Sequence, residues 1–164
     1  MPTIEVKVRR FSVVSSRPFE ETARGLTATI GHPDMNAFHS AIAEANTVAD
    51  LQEVVQGALG SSDLMEFARY DAGEVLRKER GGKGPRILRF VVGNPLIMKE
   101  MARSVPDAAS YAPVTILVDE RTDGVHLSYD TMASLIAPYG SEAALAVARD
   151  LDAKIESLLK AAAG

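Results

Sequence analysis

The sequence predicts an α+β domain: a mostly antiparallel sheet with helices packed on one of its faces. Short stretches of period-two alternation, at the N-terminus, at 86–92 and in a hairpin at 114–129, are interleaved with stretches of helical period in no regular βαβ rhythm. The segment from Ser141 onward reads as one long amphipathic helix. In 164 residues, 46% apolar and 24% charged side chains suffice for one sizeable core and no more than one domain.

Ile4, Val6 and Val8 alternate with Glu5, Lys7 and Arg9, so residues 4–9 read as a strand with one buried face. The apolar phase slips at Arg9-Arg10 to Phe11 and Val13, the mark of a bulge or bend before the break at Ser15-Ser16-Arg17-Pro18. Serine capping and a first-turn proline then open a helix over about 17–30. Met35, Phe38, His39 and Ile42 share one helical stripe. Thr47 and Asp50 are spaced as N-cap and N3 of a second helix, whose stripe of Leu51, Val54, Val55 and Ala58 is closed by Gly60. Residues 33–59 are therefore a pair of short helices.

Strand-like segments follow at about 64–70, 74–79 and 86–92, the last two joined by a hairpin loop, Gly81-Gly82-Lys83-Gly84-Pro85. Asn94-Pro95 starts a helix to about Arg103. A loop with Pro106 and Pro113 leads to strand 114–119, which turns at Thr122-Asp123-Gly124 into strand 125–129. Asp130 caps a short helix to Ala137, Pro138 and Gly140 break it, and Ser141 caps the last helix, with Ala144, Val147, Leu151, Ile155 and Leu158 inward. The order is β-α-(αα)-β-β-β-α-β-β-α-α. Six short strands with one covered face leave a second face to be hidden, which predicts a homodimer through that face or an edge.

Counting narrows the function. Eighteen Lys and Arg against 22 Asp and Glu give a net charge of −4, the reverse of the basic footprint that nucleic acid demands. Without cysteine there is no disulfide, thiolate nucleophile or Cys-ligated metal. The N-terminus lacks the unbroken apolar stretch of a signal peptide, and no run approaches the ~20 residues that span a bilayer. A cytoplasmic protein with neither nucleic-acid nor membrane partners is expected. The mixed charges of the last helix read as core or dimer packing rather than a membrane anchor.

Phe67-Ala-Arg-Tyr-Asp-Ala-Gly-Glu-Val, Ile87-Leu-Arg-Phe-Val-Val-Gly-Asn-Pro, Tyr111-Ala-Pro-Val-Thr-Ile-Leu-Val and Gly124-Val-His-Leu-Ser-Tyr-Asp-Thr resemble the domain-of-unknown-function 302 family over roughly 4–31 and 62–160. Gly93-Asn94-Pro95 and Ser128-Tyr129-Asp130, each ending a strand, are the most specific pieces. The resemblance implies a single compact domain of TATA-binding-protein-like topology, commonly paired as a dimer, with no established chemistry. Against that pattern 33–59 reads as a helical insertion, and Leu96-Ile97-Met98-Lys99 replaces the small residues often seen in relatives.

Asn94 opens a helix at a strand end, a geometry that serves either as a plain N-cap or as an anion site. If strands 86–92 and 125–129 run the same way, Ser128, Tyr129 and Asp130 meet Asn94 at one rim, over an apolar floor. Met98 and Tyr111 would complete its wall; in the plainer reading Asp130 only caps a helix, and Tyr129 and Tyr111 only pack. His32, Asp34 and His39 are nitrogen and oxygen donors at poor spacing, with His126 the only further histidine. His39 on an apolar stripe reads as a core histidine, so no metal, haem or other cofactor is expected. Arg77-Lys78-Glu79-Arg80-Gly81-Gly82-Lys83-Gly84 lacks the Walker order and reads as a solvated tip.

The leading expectation is a non-catalytic homodimer that binds a small molecule through Asn94, Met98, Tyr111, Ser128, Tyr129 and Asp130. One alternative is an enzyme with Asp130 or Asp71 as base and Tyr129 as acid, and another is a protein-interaction module docking through 33–59.

Overall fold

The structure, a computed structural model, describes residues 2–164. Five strands form one sheet in the order β1-β5-β4-β3-β2: β1 (Arg10–Ser15), β2 (Met65–Asp71), β3 (Ile87–Gly93), β4 (Val114–Arg121) and β5 (Gly124–Asp130). Every neighbouring pair is antiparallel. The helices are α1 (Phe19–Thr27), α2 (Met35–Glu44), α3 (Val48–Ala58), α4 (Gly73–Glu79), α5 (Pro95–Ala102), α6 (Ala108–Tyr111), α7 (Met132–Ile136) and α8 (Glu142–Ala163). The α+β class with a mostly antiparallel sheet is as expected, and no helix among the described residues is long and apolar enough to cross a membrane.

Period-two alternation sorts the strands into a core row and an outer row. Phe90, Ile116 and Tyr129 lie side by side across β3, β4 and β5, followed by Phe11 on β1, and face the helices. Against them pack α1 and α8, the latter burying Ala144, Ala148, Leu151, Ile155, Leu159 and Ala162. The outer row Arg89, Leu117, Ser128 and Ser12 carries no helix. Helices α2 and α3 make a small separate core, in which Phe38 and Val55 cover Met65 of β2 beside Leu96 of α5.

Three local expectations are corrected. The first strand is 10–15 rather than 4–9. Its core-facing row is Phe11 and Val13, and residues 2–9 extend past the end of β5, where the chain turns away after Asp130 into α7. The alternation at 4–9 is real, but no strand lies beside it.

Residues 74–79 form α4 rather than a strand, so the sheet has five strands and the glycine-rich loop joins a helix to β3. Asp71 receives the Glu74 amide at 2.9 Å, and Glu74 meets Lys78 one turn on at 2.8 Å, both helix-forming contacts. The apolar Val75 is 72% exposed, so the burial that would favour a strand is lacking.

Pro18 is the N-cap of α1 rather than its first-turn residue, and no side chain caps that helix. The capping box Thr47/Asp50, the Asn94 cap and the Ser141 cap are all present.

Candidate functional site

Because β4 runs antiparallel to both β3 and β5, those two strands point the same way, and Gly93 and Asp130 end at one edge of the sheet. Between them stands Val114, the first residue of β4, which divides the rim into two hollows. Asn94 and Met98 line a slot of about 120 Å³; Tyr111, Ser128, Tyr129 and Asp130 line a broader cleft of about 340 Å³. The six residues therefore share an edge but not a cavity.

The slot lies between α5 and the start of β4. Its walls are Phe67, Ile97, Met98, Met101, Pro113 and Leu151, with Asn94 the one polar side chain. Asn94 is 7% exposed and each end of its amide has a partner: its Oδ1 accepts the Leu96 amide at 2.9 Å and its Nδ2 donates to the Asp63 carbonyl at 3.1 Å. With both ends of the amide used, Asn94 shapes the slot and leaves its interior apolar.

In the cleft, Arg10 closes a two-pronged ion pair on Asp130, with Nε to Oδ1 at 2.6 Å and Nη2 to Oδ2 at 2.9 Å. Asp130 thus pairs with Arg10 instead of capping α7. Ser128 is buried in the outer row opposite Leu117. The Tyr111 and Tyr139 hydroxyls lie 2.8 Å apart, and this hydrogen bond is the main reason that the Tyr139 phenol is pushed up to about 12.

Tyr129 lines the cleft with its strand but sends its hydroxyl into the core, where it donates to Asp152 Oδ1 at 2.5 Å. The same carboxylate accepts the Met132 amide at 2.7 Å and the Ala133 amide at 3.0 Å, so α8 supplies the cap that α7 lacks in its own Thr131. Burial, then the nearby Asp152 charge, raises the Tyr129 phenol far above its ordinary value, and it stays protonated. Sequence reasoning missed Asp152. The signal was there: position 152 falls on the buried stripe between Ala148 and Ile155, where a carboxylate needs donors to offset its burial.

Asp71 lies on edge strand β2, three strands across the sheet from Tyr129, paired with Arg77 at 2.6 Å, and that hydrogen bond holds its carboxyl below the usual range. The two do not meet. His39 is exposed against the Phe38 ring rather than buried, which corrects the core reading. His32 lies 3.0 Å from the Thr27 carbonyl and 3.4 Å from Glu66. Among the described residues no three His, Asp or Glu side chains come together as a metal-ligand set.

A crystal structure of an uncharacterized conserved protein DUF302 from Bacillus stearothermophilus superposes with a TM-score of 0.65 over 93% of this chain and 97% of that one, at 13% identity, a likeness of fold. No match is found among curated proteins. The model of the family described as Domain of unknown function DUF302 matches residues 40–162, from within α2 to the end of α8. With three quarters of its length inside that match, the chain belongs to the DUF302 family.

Proposed function

We propose that the protein is a non-catalytic homodimer that binds a compact, uncharged, apolar molecule in the slot beneath Asn94 and Met98. The observation that carries this reading is the slot itself: about 120 Å³ walled by Phe67, Ile97, Met98, Met101 and Leu151, with its single polar side chain already satisfied. An apolar slot of this size favours a flat or branched hydrocarbon group about the size of a benzene ring, because its one polar side chain already has a partner at each end. The absence of catalysis is supported by the commitments of the titratable candidates: Asp130 to Arg10, Asp71 to Arg77 and Tyr129 to Asp152. The pairing is supported by the uncovered sheet face, where Val14 and Tyr70 are 50% and 53% exposed. Residence in the cytoplasm belongs to the same reading.

Calorimetry and thermal shift with benzene and indole test the ligand. Saturable binding is expected in the wild type and not in Met98→Trp, a variant that fills the slot from its half-buried rim. A wild type that binds neither probe, or a variant that folds and binds both equally well, overturns the reading.

A further inference from the structure

The strand-patterned segment before β1 is without a partner. Among the described residues, no backbone hydrogen bond to 3–8 is found, and the first ties of this arm to the domain are at Arg9: its amide donates to Ser134 Oγ at 3.0 Å and its carbonyl accepts the Thr131 amide at 2.9 Å. Ile4 and Val8 are 55% and 50% exposed, while Val6 is half-buried. An exposed segment that alternates apolar and charged residues and keeps its backbone groups free is a template for strand pairing.

We propose that this arm pairs antiparallel with the same arm of a second copy about a two-fold axis at Val6. The proposal rests on the homodimer reading above and adds the arm to the surfaces through which the two copies meet. The sequence Ile4-Glu5-Val6-Lys7-Val8 is complementary to itself in that register, with no like-charge pair and no charge set against an apolar side chain. With the axis at Val6, Glu5 faces Lys7 of the second copy twice over, Ile4 faces Val8 twice, and Val6 faces its own equivalent. Moving the axis to Glu5 sets two glutamates against each other, and moving it to Lys7 sets two lysines together at its centre, although Glu5 then faces Arg9. A shift of half a step sets valine against lysine and glutamate against valine. A parallel, in-register pairing stacks like charges throughout. Cross-strand pairs of opposite charge and of β-branched residues are what stabilise an antiparallel ribbon, and both kinds occur here in one register.

A two-fold contact is also what a closed dimer requires, since each arm gives and receives the same residues. The ribbon would reach from Pro2 to Arg10, and Pro2 at its end removes no ladder bond from the interior. This pairing gives the row Ile4, Val6 and Val8 a function that its own sheet does not.

Sedimentation equilibrium on the full chain and on charge-reversed variants tests the arm. Glu5→Lys and Lys7→Glu should each weaken the dimer about tenfold, because each turns both symmetry-related pairs repulsive. The double variant Glu5→Lys with Lys7→Glu should recover wild-type affinity. The chain has no cysteine, so Val6→Cys should oxidise to a disulfide-linked dimer while Val14→Cys, the more exposed of the two positions, should not. Circular dichroism should be unchanged throughout, since the substituted side chains lie outside both cores. A wild-type dimer that both single variants leave equally tight overturns the arm and spares the homodimer. So does a double variant as weak as the singles, or cross-linking at Val14 in place of Val6. A monomeric wild type overturns both.

Discussion

The Tyr129 hydroxyl and the Asp152 carboxylate meet at 2.5 Å, joining β5 to α8 at the point where α7 begins. Asp152 is the acceptor for that phenol and for two amides of α7, so three donors depend on one buried side chain. Asp152→Ala leaves the Tyr129 hydroxyl and the Ala133 amide without this acceptor and leaves the Met132 amide only its 3.1 Å contact to the Tyr129 oxygen, and should lower the unfolding free energy by about 3 kcal/mol. Tyr129→Phe, which removes one donor and keeps the ring, should cost about 1–2 kcal/mol. Urea denaturation of both variants reads the two values, and a smaller loss for Asp152→Ala than for Tyr129→Phe would refute the capping role.

The same carboxylate sets a pH dependence. Burial pushes Asp152 above its ordinary value of 3.8, against the opposing hydrogen bonds from Tyr129 and the amides of Ala133 and Met132. Between 3.8 and the raised folded value the native chain holds the proton and the unfolded chain has released it. Stability from this group is therefore fully present below 3.8 and is lost as pH rises through the folded value. Asp152→Asn cannot titrate. The difference in unfolding free energy, wild type minus Asp152→Asn, should fall as pH rises from near 3.8 and then level off; a difference that rises over that range contradicts the assignment.

Two glycines in open space should respond with opposite signs. Gly140, with φ of 69°, ends the 3-10 turn that follows α7, and a side chain there would meet no atom within 4 Å. Gly140→Ala should therefore lose about 1 kcal/mol from backbone conformation alone. Gly57 lies within α3, equally free of neighbours but in helical backbone, so Gly57→Ala should gain about 0.5–1 kcal/mol. Thermal denaturation of the pair separates a conformational cause from a packing one.

Leu151, 3% exposed, forms one wall of the slot. Leu151→Ala should cost about 2–5 kcal/mol and enlarge the cavity, as large-to-small core replacements do. If the slot is dry, saturating benzene should restore part of that loss, and denaturation with and without benzene measures the recovery. No recovery would show that the enlarged space collapses or fills with water.

What the sequence made legible was local. Thr47 with Asp50, Asn94 before Pro95, and Thr122-Asp123-Gly124 each state their structure within a few residues, and each element stands where those signals put it. Misreadings arose where a short pattern fits two structures. Residues 74–79 carry too few apolar positions to separate period two from period 3.6, and the contacts of Asp71 and Lys78 decide for helix. At 4–9 the alternation alone does not make a strand of the sheet, because pairing depends on where a strand 115 or more residues away comes to its end. Strand direction gathers the rim residues at one edge, yet their division by Val114 depends on the width of one strand, which no spacing along the chain expresses.

The strand order carries a consequence for synthesis. β1 pairs with β5 alone, Arg10 opposite Asp130 and Ser15 opposite Val125. On the ribosome, Phe11 and Val13 emerge ahead of every other strand of the sheet and wait for nearly the whole domain to be translated before their hydrogen-bonding neighbour exists. The first of the five strands to be made is thus the last to join the sheet, and for that interval its edge is open to a chaperone.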